Sequence, residues 1–389
     1  SLHGADFVNS DLSNVNLSSA NLSGANLSKA RLSGANLSAA DLSGIKSGKI
    51  VGSPASLPPE WKIKSGFLLG PTSVLSNADL SGVDLSDCNL KWATLDMVRG
   101  DHIIGQPKKL PTGWVVVGGH ILGPKANLQS ADLTHLDLSG INLGTSDLSH
   151  ADFSYSNLTN TNFTKAQFSM TRAINVVGQP KLARRLGWGL VSNSIVGPGM
   201  DLSNSDLKDA DLSGINLWAA NLSGISSKNL KGVPAALPKN WQIVNGYLIG
   251  PTSNLSGANF SGTTIKSASL RGADLSGANF KGANLDKVDF AKANLTRANF
   301  SGSVIQNSNL SNLRFFKTVF SSAQLIDSKV DKSDFTSASM KAIYSSNLSG
   351  TPSLPASWGI INGVIIGPSG SLNVNLALTN QNIEGLDLS

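Results

Sequence analysis

The chain has 389 residues, of which 40% are hydrophobic, only 14% are charged and one is a cysteine, and its formal net charge is +6. A single cysteine, Cys88, excludes an intrachain disulfide, and no apolar run approaches the roughly eighteen residues that a membrane-spanning helix requires. Intrinsic disorder is also excluded, because the apolar residues recur on a strict period.

The N-terminal part of the chain repeats at every fifth position. From Leu2 to Leu42, a leucine or phenylalanine stands at every fifth position, and a small or apolar residue stands two positions before it. The residue between them is usually Asn or Asp, so the unit is A(N/D)LSG. A period of five fits neither the 3.6 of an α-helix nor the 2.0 of a strand. The chain must therefore turn once in each repeat.

Phenylalanines in the second half indicate the length of one coil. Phe260, Phe280, Phe300 and Phe320 recur at every twentieth position. Bulky side chains inside a solenoid tend to stack on their own kind in successive coils. The spacing therefore predicts four faces per coil, each one pentapeptide long, and a phenylalanine stack in the core.

This pattern resembles the pentapeptide-repeat family, whose members fold as a quadrilateral right-handed β-helix. The resemblance covers nearly all of the chain outside five interruptions. It implies an all-β, right-handed parallel β-solenoid in which the central Leu or Phe and the small residue two before it point inward. Each coil of such a solenoid buries its apolar residues only against its neighbours. We therefore predict a single continuous β-solenoid over residues 1–389.

The five interruptions share a second motif, G-x-P-x-x-L-P-x-x-W-x-I-x-x-G-x-L-x-G-P, which is clearest over 52–71 and 232–251. Two short apolar strands about an Asn-Gly pair, as at Asn245-Gly246, are a strong hairpin signal. We predict that every insert is a β-hairpin after a Pro-pinned loop. The other predicted turns are Ser65-Gly66, Gly118-Gly119, Asn193-Ser194 and Asn362-Gly363. The approximate inserts are 46–74, 100–127, 172–200, 226–253 and 349–371.

Each insert contains one motif tryptophan: Trp61, Trp114, Trp188, Trp241 and Trp358. The differences between their successive sequence numbers are 53, 74, 53 and 117, which decompose into one 33-residue decorated coil plus whole plain coils of twenty, with small remainders. This predicts that all five hairpins stand on one side of the solenoid as a ridge. The indole either covers the junction between insert and coil or forms an exposed platform for a ligand.

Charge differs between inserts and plain coils. The insert windows hold 14 Lys or Arg and two acids, which leaves the plain coils mildly acidic. A basic ridge could attract an anionic glycan, a lipid headgroup, nucleic acid or the acidic face of a neighbouring rod, or its lysines could simply keep the hairpins soluble. The basic candidates are Lys62, Lys64, Lys108, Lys109, Lys181, Arg184 and Arg185.

The sequence contains no evident catalytic or metal-binding pattern. The five histidines do not recur at coil spacing, and none pairs with Cys88 at a metal-ligand separation. Serines occupy the turn positions of the repeat, and no Gly-rich phosphate loop precedes a helix. We expect no enzymatic activity, no cofactor and no metal.

The favoured function is a non-enzymatic structural or interaction protein on a cell surface or outside the cell. The pentapeptide pattern runs from Leu2 and again through Leu378, Ile383 and Leu388. Open coil ends expose unpaired backbone, which predicts end-to-end self-association into a filament whose contact does not close. Alternatively, the chain is an excerpt of a longer solenoid.

Two other functions are weighed. The first is an adhesin or carbohydrate-binding rod that uses the five motif tryptophans. The second is implied by the resemblance: some pentapeptide-repeat proteins resemble B-form DNA in shape and charge and bind DNA gyrase. Such mimicry requires an acidic rod, whereas this chain is basic. We expect neither a specific nucleic-acid partner nor a transmembrane segment.

Overall fold

The computed structural model describes residues 1–182 and 187–368. Within these ranges, all regular structure is β, and no helix is available to cross a membrane. Every strand spans three positions of the chain. The strands are β1 (Lys62–Lys64), β2 (Phe67–Leu69), β3 (Val115–Val117), β4 (His120–Leu122), β5 (Gly189–Val191), β6 (Ser194–Val196), β7 (Gln242–Val244), β8 (Tyr247–Ile249), β9 (Thr264–Lys266), β10 (Asn284–Asp286), β11 (Val304–Gln306), β12 (Gln324–Ile326), β13 (Tyr344–Ser346), β14 (Gly359–Ile361) and β15 (Val364–Ile366).

The plain coils form a parallel β-solenoid in which the paired residues of successive coils are, with few exceptions, twenty positions apart. Strands β9 to β13 lie side by side in parallel, with Ile265, Leu285 and Ile305 in register. Elsewhere single bridges join residues of the same spacing, such as Asp6 to Asn26. The all-β solenoid and the coil length predicted from the phenylalanine spacing are confirmed.

The pentapeptide unit follows from a turn that repeats at every face. The Asp41 carboxylate accepts a hydrogen bond from the N–H of Ser43 at 2.9 Å, and Asn21 does the same for Ser23 at 3.0 Å. Gly44 then adopts φ of +69°, which costs glycine little because it has no Cβ. The order Asn/Asp-Leu-Ser-Gly thus encodes an Asx turn followed by a left-handed residue.

The core contains the predicted aromatic stack. The rings of Phe260 and Phe280 are 5.1 Å apart, those of Phe280 and Phe300 4.8 Å, and those of Phe300 and Phe320 5.1 Å. All four side chains are fully buried. A neighbouring pair, Phe315 and Phe335, has a centroid separation of 4.3 Å and continues this aromatic core.

Internal contacts divide the protein into two compact units. The first comprises Ser1–Trp188 with Asn193–Ile195, and the second comprises Gly189–Ser192 and the chain from Val196 onward. The continuous solenoid over 1–389 stays a prediction.

The decorated coils are shorter than the sequence spacing predicts. Lys46 pairs with Val74 in the first unit and Ser226 pairs with Asn254 in the second, so each decorated coil advances the sequence number by 28 instead of 33. Axial pairing also continues inside the first insert window, because Val51 pairs with Arg31. The hairpin therefore lengthens a plain coil by only eight positions. Along the chain, the five-residue sequence pattern ends before the backbone pairing does, because Lys46 and Val51 replace Asn or Asp at outward positions but still pair with the preceding coil.

The single ridge of hairpins is a wrong prediction, since neighbouring hairpins rejoin the solenoid at different positions. We call residues that pair from coil to coil a column. In the first unit, the chain returns from the first hairpin at Val74, in the column that continues to Thr94. It returns from the next hairpin at Asn127, whose N–H donates to the carbonyl of Val98, next to Arg99. Because Arg99 follows Thr94 by one pentapeptide face, the second hairpin is displaced by a quarter of a coil.

The two hairpins of the second unit differ even more. The chain returns from the earlier insert at Asn254, in the column that continues to Asp274. The last insert begins after Ser353, which pairs with Asp334 in that same column. One hairpin thus precedes this column and the other follows it. In the first unit, the separation of 53 between Trp61 and Trp114 is one 28-residue decorated coil, one plain coil of twenty and one further face of five.

Replacing Phe300 with alanine should lower the free energy of unfolding by about 3–5 kcal/mol, because the ring is fully buried between two others. Equilibrium urea unfolding measures the effect. Phe316→Ala is the matched control, since that ring is only half-buried, and we expect a loss of about 1 kcal/mol or less. Equal losses in both variants would contradict the stacked core.

The Asx turns predict a loss of stability in acid. The pKa of Asp334 lies below its usual value because the Thr336 hydroxyl and N–H donate to the carboxylate, with a smaller contribution from Arg314. A depressed folded-state pKa stabilises the fold above the unfolded value of roughly 3.9, and this stability is lost as the pH falls through the folded pKa. The urea midpoint should therefore fall between about pH 5 and pH 2. Asp334→Asn, which keeps an acceptor, should show a smaller fall.

Candidate interaction surface on the hairpins

The hairpins are named in chain order: hairpin 1 (β1 and β2), hairpin 2 (β3 and β4), hairpin 3 (β5 and β6), hairpin 4 (β7 and β8) and hairpin 5 (β14 and β15). Their turns have positive φ at both central residues, as in type I′ turns. In hairpin 4 these are Asn245 at 49° and Gly246 at 74°, as predicted. In hairpin 3 they are Ser192 at 46° and Asn193 at 56°, so the predicted Asn193-Ser194 turn is wrong by one residue. Ser194 instead begins β6 and is buried.

Second strands of the hairpins are built into the solenoid. Leu68 and Leu248 are fully buried, and their N–H groups donate to the hydroxyls of Ser47 at 2.9 Å and Ser227 at 2.8 Å. The carbonyl of Gly66 in the first turn accepts a hydrogen bond from the N–H of Ile50 at 3.0 Å. Each of these hairpins is thus fixed to the coil that precedes it.

Four motif tryptophans pack against a glycine of the same hairpin. A Cβ added to the glycine would overlap the indole, so only glycine fits there: Trp61 packs on Gly70, Trp114 on Gly123, Trp241 on Gly250 and Trp358 on Gly367. Trp114 is buried, and Trp61, Trp188, Trp241 and Trp358 are half-buried. Trp188 contacts Phe168, with ring centroids 4.6 Å apart. This packing accounts for the repeated tryptophan without a ligand.

Two of the predicted basic residues are neutralised by the plain coils. The Nζ of Lys64 lies 2.6 Å from Asp84, and the Nζ of Lys108 lies 3.6 Å from Asp87. The bond from Lys64 holds the pKa of Asp84 well below its usual range, and the same bond raises the pKa of Lys64. The contrast between basic inserts and acidic coils is therefore partly satisfied within the chain.

Three of the other basic candidates lie within the described residues. Lys109 and Lys181 occupy coil positions, where their backbones pair with Asn89 and Asn162. Lys62 begins β1 and is half-buried. Arg184 and Arg185 lie outside the described residues, as do residues 369–371 of the last insert. Lys64, Lys108 and Lys109 therefore all meet residues 84–89, through Asp84, Asp87 and Asn89, whereas Lys181 pairs with Asn162.

Sequence reasoning missed the apolar side chains that are exposed. Val51, Ile104 and Val177 are exposed at outward coil positions that Asn or Asp fills in plain coils. Each is followed by the glycine that opens a Pro-pinned loop. The signal was available in the sequence, since the aliphatic residue breaks the Asn/Asp pattern. Two tryptophans outside the motif, Trp92 and Trp218, are 63% and 65% exposed.

Hairpin 4 adds an apolar cleft of about 480 Å³. Val233, Pro234 and Leu237 of its loop line the cleft together with Trp241 and Ile243 of the strand region. Val233 is 81% exposed, the highest value for any large apolar side chain among the described residues.

Hairpin 2 carries a polar cluster where hairpins 1 and 4 have Phe67 and Tyr247. The Asp101 carboxylate lies 3.0 Å from Nδ1 of His120 and 2.9 Å from Nε of Arg99. The carboxylate and the imidazole are buried beside a cleft of about 370 Å³. Across residues 1–182 and 187–368, no three His, Cys, Asp or Glu side chains are placed to hold a metal ion.

Comparison with known proteins identifies the family. A family model described as pentapeptide repeats matches more than half of the chain, and the chain therefore belongs to the pentapeptide-repeat family. The matched stretches are 5–44, 73–96, 126–164, 146–176, 199–224, 253–291, 283–321 and 293–330. The inserts separate several of these stretches.

Solved structures that resemble the chain share few identical residues with it. HetL, a pentapeptide repeat protein involved in heterocyst differentiation regulation from the cyanobacterium Nostoc sp., is 20% identical, with 69% of this chain and 88% of HetL covered and a TM-score of 0.22. Full-length QnrB1, a plasmid-mediated fluoroquinolone resistance protein, is 13% identical, with 54% and 92% covered and a TM-score of 0.21. No curated protein matches the sequence. Likenesses this weak carry no information about function.

Gly250→Ala should destabilise hairpin 4 by about 1–3 kcal/mol, because the new methyl group would overlap the Trp241 indole. Urea unfolding followed by tryptophan fluorescence measures the change. Gly257→Asn is the control, because a Cβ at Gly257 meets open space and Asn tolerates its φ of +66°. A neutral Gly250→Ala variant would contradict the proposed role of the indole.

Proposed function

We propose that this chain is a non-enzymatic interaction scaffold whose hairpins bind other proteins. One observation carries the proposal: the hairpins are fixed to the coils through buried second strands, while aliphatic side chains in their loops, or at the coil position just before them, are exposed to water. Fixed placement lowers the conformational entropy lost on binding.

The position of these aliphatic residues supports binding over chance exposure. Isolated apolar residues are common on protein surfaces. Here Val51, Ile104 and Val177 recur at equivalent places in three inserts, and Val233 stands two positions later in the fourth. The open, partly apolar loops suit a protein partner better than a small substrate.

The finer functions are separate proposals. The Trp–Gly packing weakens the case for an adhesin that stacks sugars on the motif tryptophans, because one face of each of four indoles is already covered. A gyrase-binding DNA mimic is disfavoured by the net charge of +6. End-to-end self-association and an extracellular or surface location stay predictions, and Leu378, Ile383 and Leu388 lie outside the described residues. Light scattering across a concentration series tests the first: filament formation requires mass to rise with concentration.

Photo-crosslinking in the native host tests the scaffold. Benzoylphenylalanine at Val51 or Val233 should give the same discrete cross-linked protein in repeated experiments, and excess purified wild-type chain should compete it away. Benzoylphenylalanine at Ser18 and Lys281, which are exposed on plain coils, provides the controls. Equal cross-linking at hairpin and control positions would overturn the proposal.

A further inference from the structure

We propose that hairpin 4 binds an extended acidic peptide segment of a partner protein, which adds as a third strand to β7 and places an apolar side chain in the adjoining cleft. The inference rests on the proposed scaffold function and names the partner chemistry of one site. Three features of the second unit carry it: an open strand edge, an apolar cleft and three lysines.

The outer edge of β7 is open at its middle residue, Ile243, while the side chains of Gln242 and Asn245 donate to the carbonyls of Lys266 and Asn259 in the following coil. Val244 and Tyr247 flank a two-residue turn and therefore form the hydrogen-bonded pair, so the N–H and C=O groups of Ile243 and Leu248 point away from the hairpin. On the β8 side, the N–H of Leu248 is satisfied by the Ser227 hydroxyl. On the β7 side, no described group bonds to the main chain of Ile243. Such an edge accepts an added strand.

Hairpin 2 shows what closes this edge elsewhere. Gln106 is the middle residue of its Gly-Gln-Pro loop, and its Nε2 donates to the carbonyl of Val116 at 3.4 Å. Val116 corresponds to Ile243, and Gln106 corresponds to Val233 of the Gly-Val-Pro loop. Valine cannot donate a side-chain hydrogen bond, so the edge that Gln106 covers in hairpin 2 is left open in hairpin 4.

The cleft lies directly beside this open edge. Ile243, whose main chain is unpaired outward, also lines the cleft together with Val233 and Trp241. A peptide paired with Ile243 would therefore place alternate side chains toward the cleft. The volume of about 480 Å³ accommodates apolar side chains of that peptide.

Charge selects the composition of the peptide. Lys228, Lys231 and Lys239 are exposed, and residues 226–253 contain no acid, while Asp211 of the preceding coil pairs with Lys231 and lies beside the cleft residue Gly232. Lys231 immediately precedes the cleft residue Gly232, and Lys239 precedes Trp241 by two positions. Lys228 and Lys239 make no ion pair with the described part of the chain. Acidic side chains of a partner would be attracted and oriented by these lysines.

An acidic peptide can interact with the strand edge, the cleft and the lysines, whereas other anionic partners can interact with fewer of them. A glycan or a lipid headgroup could meet the lysines, but neither supplies the alternating N–H and C=O groups that pair with a strand edge. The experiment therefore separates main-chain pairing from charge attraction.

The probe is a fluorescein-labelled nonapeptide of alternating valine and glutamate with capped ends, titrated with the full chain and followed by fluorescence anisotropy. We expect saturable binding, and we expect Val233→Gln to weaken it roughly tenfold by closing the edge as in hairpin 2. Val233→Leu keeps the apolar surface and should bind like wild type. Lys231→Glu with Lys239→Glu should weaken binding by a similar factor of about ten, whereas Lys281→Glu on a plain coil should not.

Backbone pairing has its own readouts. A peptide with N-methylated main-chain nitrogens should lose binding, and hydrogen exchange of the segment that contains β7 should slow only with the unmodified peptide. Equal binding of the N-methylated peptide, an unaffected Val233→Gln variant, or no binding to wild type at millimolar concentration would each overturn the proposal. Cross-linking at Val51 without peptide binding would overturn this site alone and leave the scaffold function standing.

Discussion

Backbone hydrogen bonding between residues on successive coils is the constraint on which the rest of the structure depends. Each face contributes one short pairing, such as Asp6 with Asn26, and the Asx turn then redirects the chain to the next face. Because the described coils within each unit stack on one another, side chains at equivalent positions meet their counterparts. The phenylalanine stack is a direct result: Phe280 and Phe300 are nearly parallel at 4.8 Å because the coil repeats.

The hairpins are inserted without breaking that pairing. Lys46 still pairs with Val74 although the hairpin intervenes. The inserted strand pair uses a serine hydroxyl and a turn carbonyl to satisfy neighbouring backbone groups, as Ser47 and Gly66 do in hairpin 1. The tryptophan that packs on a glycine then fixes the first strand against the second. The hairpin is thus joined to the regular coils with few unpaired backbone N–H and C=O groups.

The hairpins differ in surface chemistry although their turns and backbone pairing are alike. Hairpin 1 ties Lys64 to Asp84, and hairpin 2 buries His120 beside Asp101 and Arg99. Hairpin 4 instead leaves a strand edge, an apolar cleft and lysines in water. A common frame therefore supports hairpins of different chemistry, which is the property expected of an interaction scaffold.

The sequence by itself determined the length of a coil, the inward-facing residues and the hairpin at Asn245-Gly246. Each depends on local backbone geometry that the residue types of the repeat or of the turn specify. It did not determine where the coil continues beneath the inserts, since Lys46 and Val51 pair through backbone groups that all residue types share. The error in hairpin position followed from this, because the decorated coil is shorter than predicted. Hairpins of one unit therefore lie on different faces of the solenoid and do not form a single ridge. Tertiary structure alone decided that Lys64 meets Asp84 and that Gln106 covers an edge which Val233 leaves open. These contacts join residues on different coils or strands, and only folding sets the distances between them.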